Sequence, residues 1–269
     1  NEYLHILEDY KNFTSDLNFK NITAIPMSAL KGDNIVKNSK KMRWFKGKSL
    51  LKTLETINID EIKKKEKLRL PIQWVNRLDS EFRGFSGTIV SGKIHKGDSI
   101  SILPNGNKAK ISEIIVSGKK VPVASDKTAV TVTLDKEIDI SRGDMLVKND
   151  EPCEISNQFQ VNLVWMTETP GLIGRSHLIK IGHQSAGVQI TNIKHKLNIN
   201  SFEKLPASTL QLNDICLAEI SLDKSIIFDK YANSRSLGSF IIIDRVTNQT
   251  IAVGMINFAL RRSRNVYNQ

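Results

Sequence analysis

The segment Ser99-Ile100-Ser101-Ile102-Leu103, followed directly by Pro104-Asn105-Gly106, contains the unit from which most of this chain is built. Aliphatic and small polar residues alternate over the first five positions, which is typical of a strand with one buried face. The proline, asparagine and glycine that follow favour a tight turn, because glycine adopts positive φ without a Cβ penalty. The segment therefore predicts a short strand that ends in a turn.

The same pattern of a short strand followed by a turn recurs before and after this segment, at about the 8–12-residue spacing of small barrels and sandwiches. Strands are predicted at 72–75, 88–90, 109–116 and 129–134, and further turns at Lys96-Gly97-Asp98 and Arg142-Gly143-Asp144. We expect these strands to form a first β-barrel over residues 70–149.

A second β series begins after Asp150-Glu151-Pro152 and contains no long segment with helical periodicity. Its strands are predicted at 158–165, 176–180, 185–193, 214–221, 240–244 and 250–253. We expect a second β-barrel over residues 155–260, so the predicted fold class is mainly β.

The first 60 residues follow a different pattern. Apolar residues recur at three- and four-residue steps and predict an amphipathic helix; they are Tyr3, Leu7, Tyr10, Phe13 and Leu17. Residues 21–26 predict a short strand ending at Pro26, and residues 49–55 predict a second helix that Ser49 caps. The order of helix, strand, loop and helix is an α/β pattern. The charge run at 61–67 is interpreted as part of a linker at 61–69, although a solvated helix end would explain it equally well.

Several motifs resemble those of the GTPases of the translation-factor type. Ser28-Ala29-Leu30 follows the predicted strand and resembles their last guanine-contacting loop. Small residues there let a backbone N–H approach the guanine carbonyl oxygen, an acceptor that adenine lacks. The stretch from Met42 to Leu51, and then Leu68 to Gln73, resembles the passage from their GTP-binding domain into their second domain.

Longer stretches narrow the resemblance to one branch. Val75-Asn76-Arg77, residues 81–92 and residues 135–146 are similar to the GTP-binding large subunit of bacterial sulfate adenylyltransferase (ATP sulfurylase), and less similar to the elongation factor that carries aminoacyl-tRNA. Residues 231–250 and 253–256 match the closing barrel of that family. The tail at 261–269 is similar to the junction with a following adenylylsulfate kinase domain; a basic disordered tail is the alternative.

The resemblance implies both the fold and the function. Residues 1–60 would be the C-terminal part of an α/β P-loop GTPase domain, followed by two elongation-factor-like barrels. The whole protein would couple GTP hydrolysis to the formation of adenylylsulfate and pyrophosphate from ATP and sulfate. Its partner would be a small catalytic subunit that carries out adenylyl transfer, so no catalytic residue is expected in this chain. Ser28, Ala29 and Leu30 would bind the guanine of GTP.

The other motifs of a GTP site are missing from the chain, which has no G-x-x-x-x-G-K-[ST], D-x-x-G or N-K-x-D sequence. The resemblance implies that residues outside the chain would complete the site for GTP and Mg²⁺. We therefore expect a piece of a longer protein that is inactive alone; its first residue, Asn1, opens no signal peptide.

The charge leaves a second function class open. The 39 Lys and Arg residues exceed the 28 Asp and Glu residues, which gives a formal net charge of +11. A translation-factor-like fragment that binds aminoacyl-tRNA is one alternative, because such charge suits phosphate contacts. We do not expect nucleic-acid binding, because aromatic RNA-binding motifs are absent. A barrel protein that has lost its GTPase and only binds partners is the other alternative.

Composition excludes several further classes. No apolar run approaches the ~18 residues that cross a bilayer, so no membrane segment is expected. Cys153 and Cys216 lie far apart, which predicts neither a disulfide framework nor reactive thiols, and indicates the cytoplasm. No metal site is predicted, because the five histidines lack paired ligand spacing; they are His5, His95, His177, His183 and His195.

Overall fold

The computed structural model describes residues 2–17, 19, 21–57, 67–77, 82–151 and 153–260. It divides into two compact units, Asn1–Lys64 and Lys65–Gln269. The tail at 261–269 and residues 61–66 of the predicted linker lie outside the described residues. Among those residues, no helix combines the length and apolar character needed to cross a membrane.

Helices dominate the first unit. They are α1 (Glu2–Phe13), a 3₁₀ turn at Ser15–Leu17, a second 3₁₀ turn at Lys40–Met42, and α2 (Leu50–Thr56). The predicted cap of the second helix is confirmed, since the Ser49 hydroxyl accepts a hydrogen bond from the Lys52 backbone N–H at 3.4 Å.

The predicted strand at 21–26 is wrong, because residues 21–27 form no strand. A strand requires a neighbour that accepts its ladder hydrogen bonds, and apolar alternation alone does not supply one. The described part of this unit contains a single β-bridge, between Ser28 and Asp33.

The first barrel is an antiparallel sheet that curls until its ends meet. Its strands are β1 (Leu70–Pro71), β2 (Trp74–Arg77), β3 (Arg83–Thr88), β4 (Lys93–His95), β5 (Ser99–Leu103), β6 (Asn107–Val116), β7 (Lys119–Val121), β8 (Val123–Ser125), β9 (Ala129–Leu134) and β10 (Met145–Lys148). The main sheet has the order β1-β10-β5-β6-β9-β3-β2, with β7 beside β6, while β4 and β8 form a separate pair. The Arg69 N–H donates to Ser91 O at 3.0 Å and the Gln73 N–H to Ser86 O at 2.8 Å, which brings the β1 end back to the β3 region.

The second barrel is closed by strand pairing throughout. Its elements are β11 (Glu154–Trp165), β12 (Gly171–Leu172), β13 (Ser176–Ile181), β14 (Gln184–Leu197), β15 (Lys204–Leu205), β16 (Thr209–Leu210), β17 (Ile215–Phe228), α3 (Arg235–Gly238), β18 (Ser239–Ile243) and β19 (Thr250–Ala259). The order β13-β18-β19-β11-β17-β14 returns to β13, because β13 also pairs with β14. The short β12 and β16 pair with each other. The predicted class, mainly β with two barrels, is confirmed, while the exact domain limits of 70–149 and 155–260 stay predictions.

Each barrel surrounds its own apolar core. Inward residues alternate along the strands, as in Phe159, Val161, Leu163 and Trp165 of β11, all of which are buried. The first two predicted strands of the first barrel are displaced by a few residues. Near its end β3 passes close to β1, because a Cβ on Gly87 would collide with the Pro71 carbonyl oxygen.

A buried ion pair joins the two barrels. Arg69 is 2% exposed, and its Nε donates to Asp229 Oδ2 of the second barrel at 2.8 Å. Arg69 Nη1 donates to the carbonyl oxygens of Leu68 and Glu151 at 3.0 and 2.9 Å. An apolar cluster spans the same junction; it contains Met145, Val147, Ile227 and Leu237.

We expect Asp229→Asn to destabilise the two-barrel unit by about 3 kcal/mol, because it removes the carboxylate charge that pairs with the buried Arg69 guanidinium. Denaturant unfolding of the 269-residue chain measures the change. Asp139→Asn is the matched control: its carboxylate pairs with Arg83 at 3.3 Å but is 99% exposed, so stability should barely change. Equal stability of the two variants would contradict the role given to the buried pair.

Candidate guanine-binding loop

The three residues predicted to contact guanine lie in a tight turn. The Ser28 N–H donates to Asp33 O and the Asp33 N–H donates to Ser28 O, both at 3.1 Å. Gly32, at φ +71°, supplies the left-handed conformation that reverses the chain. Ala29 and Leu30 therefore lie at the tip of a closed loop, and Ser28 lies at its base.

The loop exposes backbone donors as well as side chains. Leu30 is 95% exposed, and Ala29 is also at the surface. Within the described chain, the backbone N–H groups of Ala29 and Leu30 donate to no protein acceptor. The Ser28 hydroxyl accepts from the Lys31 N–H at 3.4 Å, which holds that side chain inside the turn. The arrangement can offer N–H donors to a carbonyl oxygen of a planar ligand.

Asn34 fixes the loop to the rest of the unit. It is fully buried at φ +58°. Its Nδ2 donates to Pro26 O at 2.8 Å, and its Oδ1 accepts from the Ser39 N–H at 2.7 Å. The backbone carbonyl oxygen of Asn34 accepts a further hydrogen bond from the Leu50 N–H at 2.9 Å, which connects the loop to the start of α2. Asn34 thus links the segments before and after the loop.

Two hydroxyl groups complete this scaffold. Ser39 Oγ donates to Asp33 Oδ1 at 2.6 Å, and Ser49 Oγ donates to Val36 O at 2.9 Å. Sequence reasoning assigned no role to Asn34 or Ser39. The available signal was the run Gly32-Asp33-Asn34, because asparagine tolerates the left-handed conformation and favours turns.

Aromatic residues pack together, and one of them contacts the segment that leads into the loop. The Tyr3 and Trp44 rings lie 5.1 Å apart, Trp44 meets Phe45 edge to face at 6.3 Å, and the Tyr3 hydroxyl donates to Ala24 O at 3.1 Å. These contacts show that Trp44 and Phe45 pack within the first unit. Trp44 nevertheless remains half exposed.

The cysteines and histidines form no catalytic arrangement among the described residues. Burial raises the pKa of the Cys153 thiol to about 11 and that of Cys216 to about 12, so both thiols stay protonated and unreactive near neutral pH. His177 is buried inside the second barrel, and that burial lowers its pKa. The described chain holds no group of three or more His, Cys, Asp and Glu side chains suited to a metal ion.

Comparisons with known proteins first define the class. The fold resembles crystal structures of Sup35 with GDP (TM-score 0.68, 19% identity) and with GMPPNP (TM-score 0.66, 18% identity), each covering 96% of this chain and 65% of the other. Residues 158–257 match the family model "GTP-eEF1A C-terminal domain-like". The chain thus has the two-barrel fold of translation-factor-type GTPases.

Sequence relatives then narrow the similarity to one branch. The chain is 44% identical over 252 residues to sulfate adenylyltransferase subunit 1 of Aliarcobacter butzleri, covering 93% of this chain and 54% of that protein. It is 41% identical over 262 residues to the bifunctional enzyme NodQ of Rhizobium tropici, covering 97% of this chain and 42% of that protein. The resemblance to the large subunit of sulfate adenylyltransferase is therefore confirmed, and the chain spans about half the length of these curated relatives. The guanine contact of Ser28, Ala29 and Leu30 stays a prediction.

We expect Asn34→Ala to weaken guanine-nucleotide binding by the full-length protein at least about tenfold, because the side chain that holds the loop to Pro26 O and to the Ser39 N–H is lost. Titration with fluorescent GDP measures the affinity. The control is Asn38→Ala, which removes an exposed hydrogen bond to Gly47 O and should leave affinity unchanged. Wild-type affinity in the Asn34 variant would contradict the assignment of this loop.

Proposed function

We propose that this chain is part of the GTPase subunit of a sulfate adenylyltransferase. The observation that carries the proposal is the similarity to subunit 1 over 93% of the chain, which includes the candidate loop and both barrels. The reaction joins ATP and sulfate into adenylylsulfate and releases pyrophosphate. Because this reaction is uphill, the proposed role of the subunit is to couple it to GTP hydrolysis.

In this proposal, the loop makes the subunit selective for guanine nucleotides. The N–H groups of Ala29 and Leu30 would donate to the carbonyl oxygen of guanine. Adenine has an amino group at that position, so these N–H donors would face another donor and form no hydrogen bond. An unpaired donor at a binding site costs affinity, so the loop would favour GTP over ATP. The chain supplies no phosphate loop, and Mg²⁺ and the GTP phosphates would be held by residues outside it.

The barrels would transmit the nucleotide state to a partner. In this proposal the small catalytic subunit binds ATP and sulfate and carries out adenylyl transfer, while the two barrels move as one body. The buried Arg69–Asp229 pair and the apolar cluster at the junction support such joint movement. We place the complex in the cytoplasm, in keeping with the two free thiols.

The decisive experiment combines the full-length protein with its small catalytic subunit. We expect sulfate-dependent pyrophosphate release from ATP, and an increase in adenylylsulfate yield when GTP is added. The assay follows pyrophosphate enzymatically, and omission of sulfate is the control. Absence of sulfate-dependent release, with and without GTP, would overturn the proposed function.

The backbone donors permit a more local test. Ala29→Pro removes one N–H from the loop tip, so we expect the preference for GTP over ATP to fall about tenfold. Leu30→Ala is the matched control, because it keeps every N–H and removes only an exposed side chain. Competition between the two nucleotides measures the preference, and thermal unfolding checks that the variants fold. An unchanged preference in a folded Ala29→Pro protein would remove this loop from guanine recognition.

A translation-factor-like RNA-binding role is the second candidate. The match of residues 158–257 to the eEF1A-type domain and the net charge of +11 favour it. The subunit 1 relatives favour sulfate activation more strongly, because their similarity extends over nearly the whole chain. Tight, salt-dependent tRNA binding without sulfate-dependent activity would reverse the order of the two candidates.

A further inference from the structure

His177 on β13 is a buried titratable side chain that the proposed function does not use. It is 3% exposed, and neither of its ring nitrogens has a hydrogen-bond partner among the described residues. Its neighbours Trp165, whose ring centre lies 6.3 Å away, and Val188, its partner on β14, carry no charge. A buried polar group without a partner costs free energy, and the cost rises steeply if the group becomes charged.

Three charged side chains lie around the His177 ring. The Asp244 carboxylate is one of them: its Oδ2 is 3.9 Å from His177 Nδ1, which is too far for a hydrogen bond. Arg175 Nη2 donates to the same Oδ2 at 3.3 Å, and Arg245 Nε donates to the His177 carbonyl oxygen at 3.2 Å. A further carboxylate, that of Asp223, lies beside the Arg245 side chain. A proton on the ring would therefore meet one attractive charge and two repulsive ones.

These surroundings keep the imidazole neutral near pH 7. Burial lowers the pKa of His177, and the guanidiniums of Arg175 and Arg245 lower it further, against the opposing effect of the Asp244 carboxylate. In the unfolded chain the same ring would take up a proton near its ordinary pKa of about 6.5. Acidification through that range therefore favours any state in which the ring leaves its buried position.

The Asp244 carboxylate holds the turn between β18 and β19. Its Oδ1 accepts hydrogen bonds from the Val246 and Thr247 backbone N–H groups, both at 2.9 Å, and from the Thr247 hydroxyl at 3.3 Å. The two backbone donors lower the pKa of Asp244, which keeps it ionised. With Oδ2 bound to Arg175, both oxygens already have partners. The carboxylate thus cannot approach the His177 ring without loosening the turn.

We propose that His177, Asp244 and Arg175 form a pH-sensitive switch that holds the β18–β19 turn at neutral pH and releases it in acid. A protonated ring donates from both nitrogens, and Asp244 is its nearby acceptor. To form that bond, the 3.9 Å gap must close to about 3 Å, which draws the carboxylate away from the turn and from Arg175. The turn carries Val246, which is 85% exposed, so its release changes the surface at this end of the barrel.

The first test follows the wild-type 269-residue chain by NMR between about pH 7.5 and about pH 5. We expect the His177 ring to titrate below the ordinary midpoint of about 6.5. The amide signals of Val246 and Thr247 should shift with the same midpoint as the ring, because Asp244 links them to it. Titration of the ring at or above the ordinary midpoint would overturn the inference, and so would turn signals that do not follow the ring.

The second test compares variants by urea unfolding at two pH values. Between about pH 7.5 and about pH 5.5, the unfolding constant of wild type should rise up to about tenfold more than that of His177→Gln, because only wild type exposes this proton-binding ring on unfolding. His195→Gln is the matched control, since His195 lies on β14 and is only partly buried; it should keep the wild-type pH dependence. Equal pH dependence in wild type and in a folded His177→Gln protein would contradict the switch. If that variant does not fold, the NMR titration of wild type decides alone.

Discussion

The buried pair between Arg69 and Asp229 is the interaction on which the arrangement of the two barrels depends. A guanidinium taken out of water costs several kcal/mol unless its donors and its charge are matched. Here the Asp229 carboxylate and two carbonyl oxygens surround it. The backbone of Arg69 also exchanges hydrogen bonds with Val90 and Ser91, which closes the first barrel. One residue thus closes one barrel with its backbone and binds the other with its side chain.

Because Arg69 contacts both barrels, it limits how the barrels can move relative to each other. Rotation about the junction would separate Arg69 from Asp229 and expose the apolar cluster of Met145, Val147, Ile227 and Leu237. Both changes cost free energy, because one separates a buried guanidinium from its carboxylate and the other returns apolar surface to water. We therefore expect the two barrels to move as one rigid body, in agreement with the single compact unit that contains both.

Local features of the fold were predictable because they depend on neighbouring residues. Alternation along 99–103 and 129–134 places strands correctly, and Gly97, Gly106 and Gly143 all adopt the positive φ expected of turns. The Ser49 cap was predictable for the same reason. Pairings between distant positions were not: Arg69 and Asp229 are 160 residues apart, and nothing in either local sequence identifies its partner. The predicted strand at 21–26 failed for a related reason, since a ladder depends on a neighbour that the local sequence does not specify.

At the candidate site too, the sequence motif was predictable, but the contacts with residues outside the motif were not. Resemblance located Ser28, Ala29 and Leu30, but not the buried Asn34 amide that holds their loop. That amide joins Pro26 before the loop to Ser39 after it, and its backbone reaches the start of α2. A displacement of Ser39 or α2 by a bound partner would therefore alter the position of the loop, and a ligand that orders the loop would order Ser39 and the start of α2 in return. Such reciprocity is required of any two sites that share one structural element whose position both ligands influence.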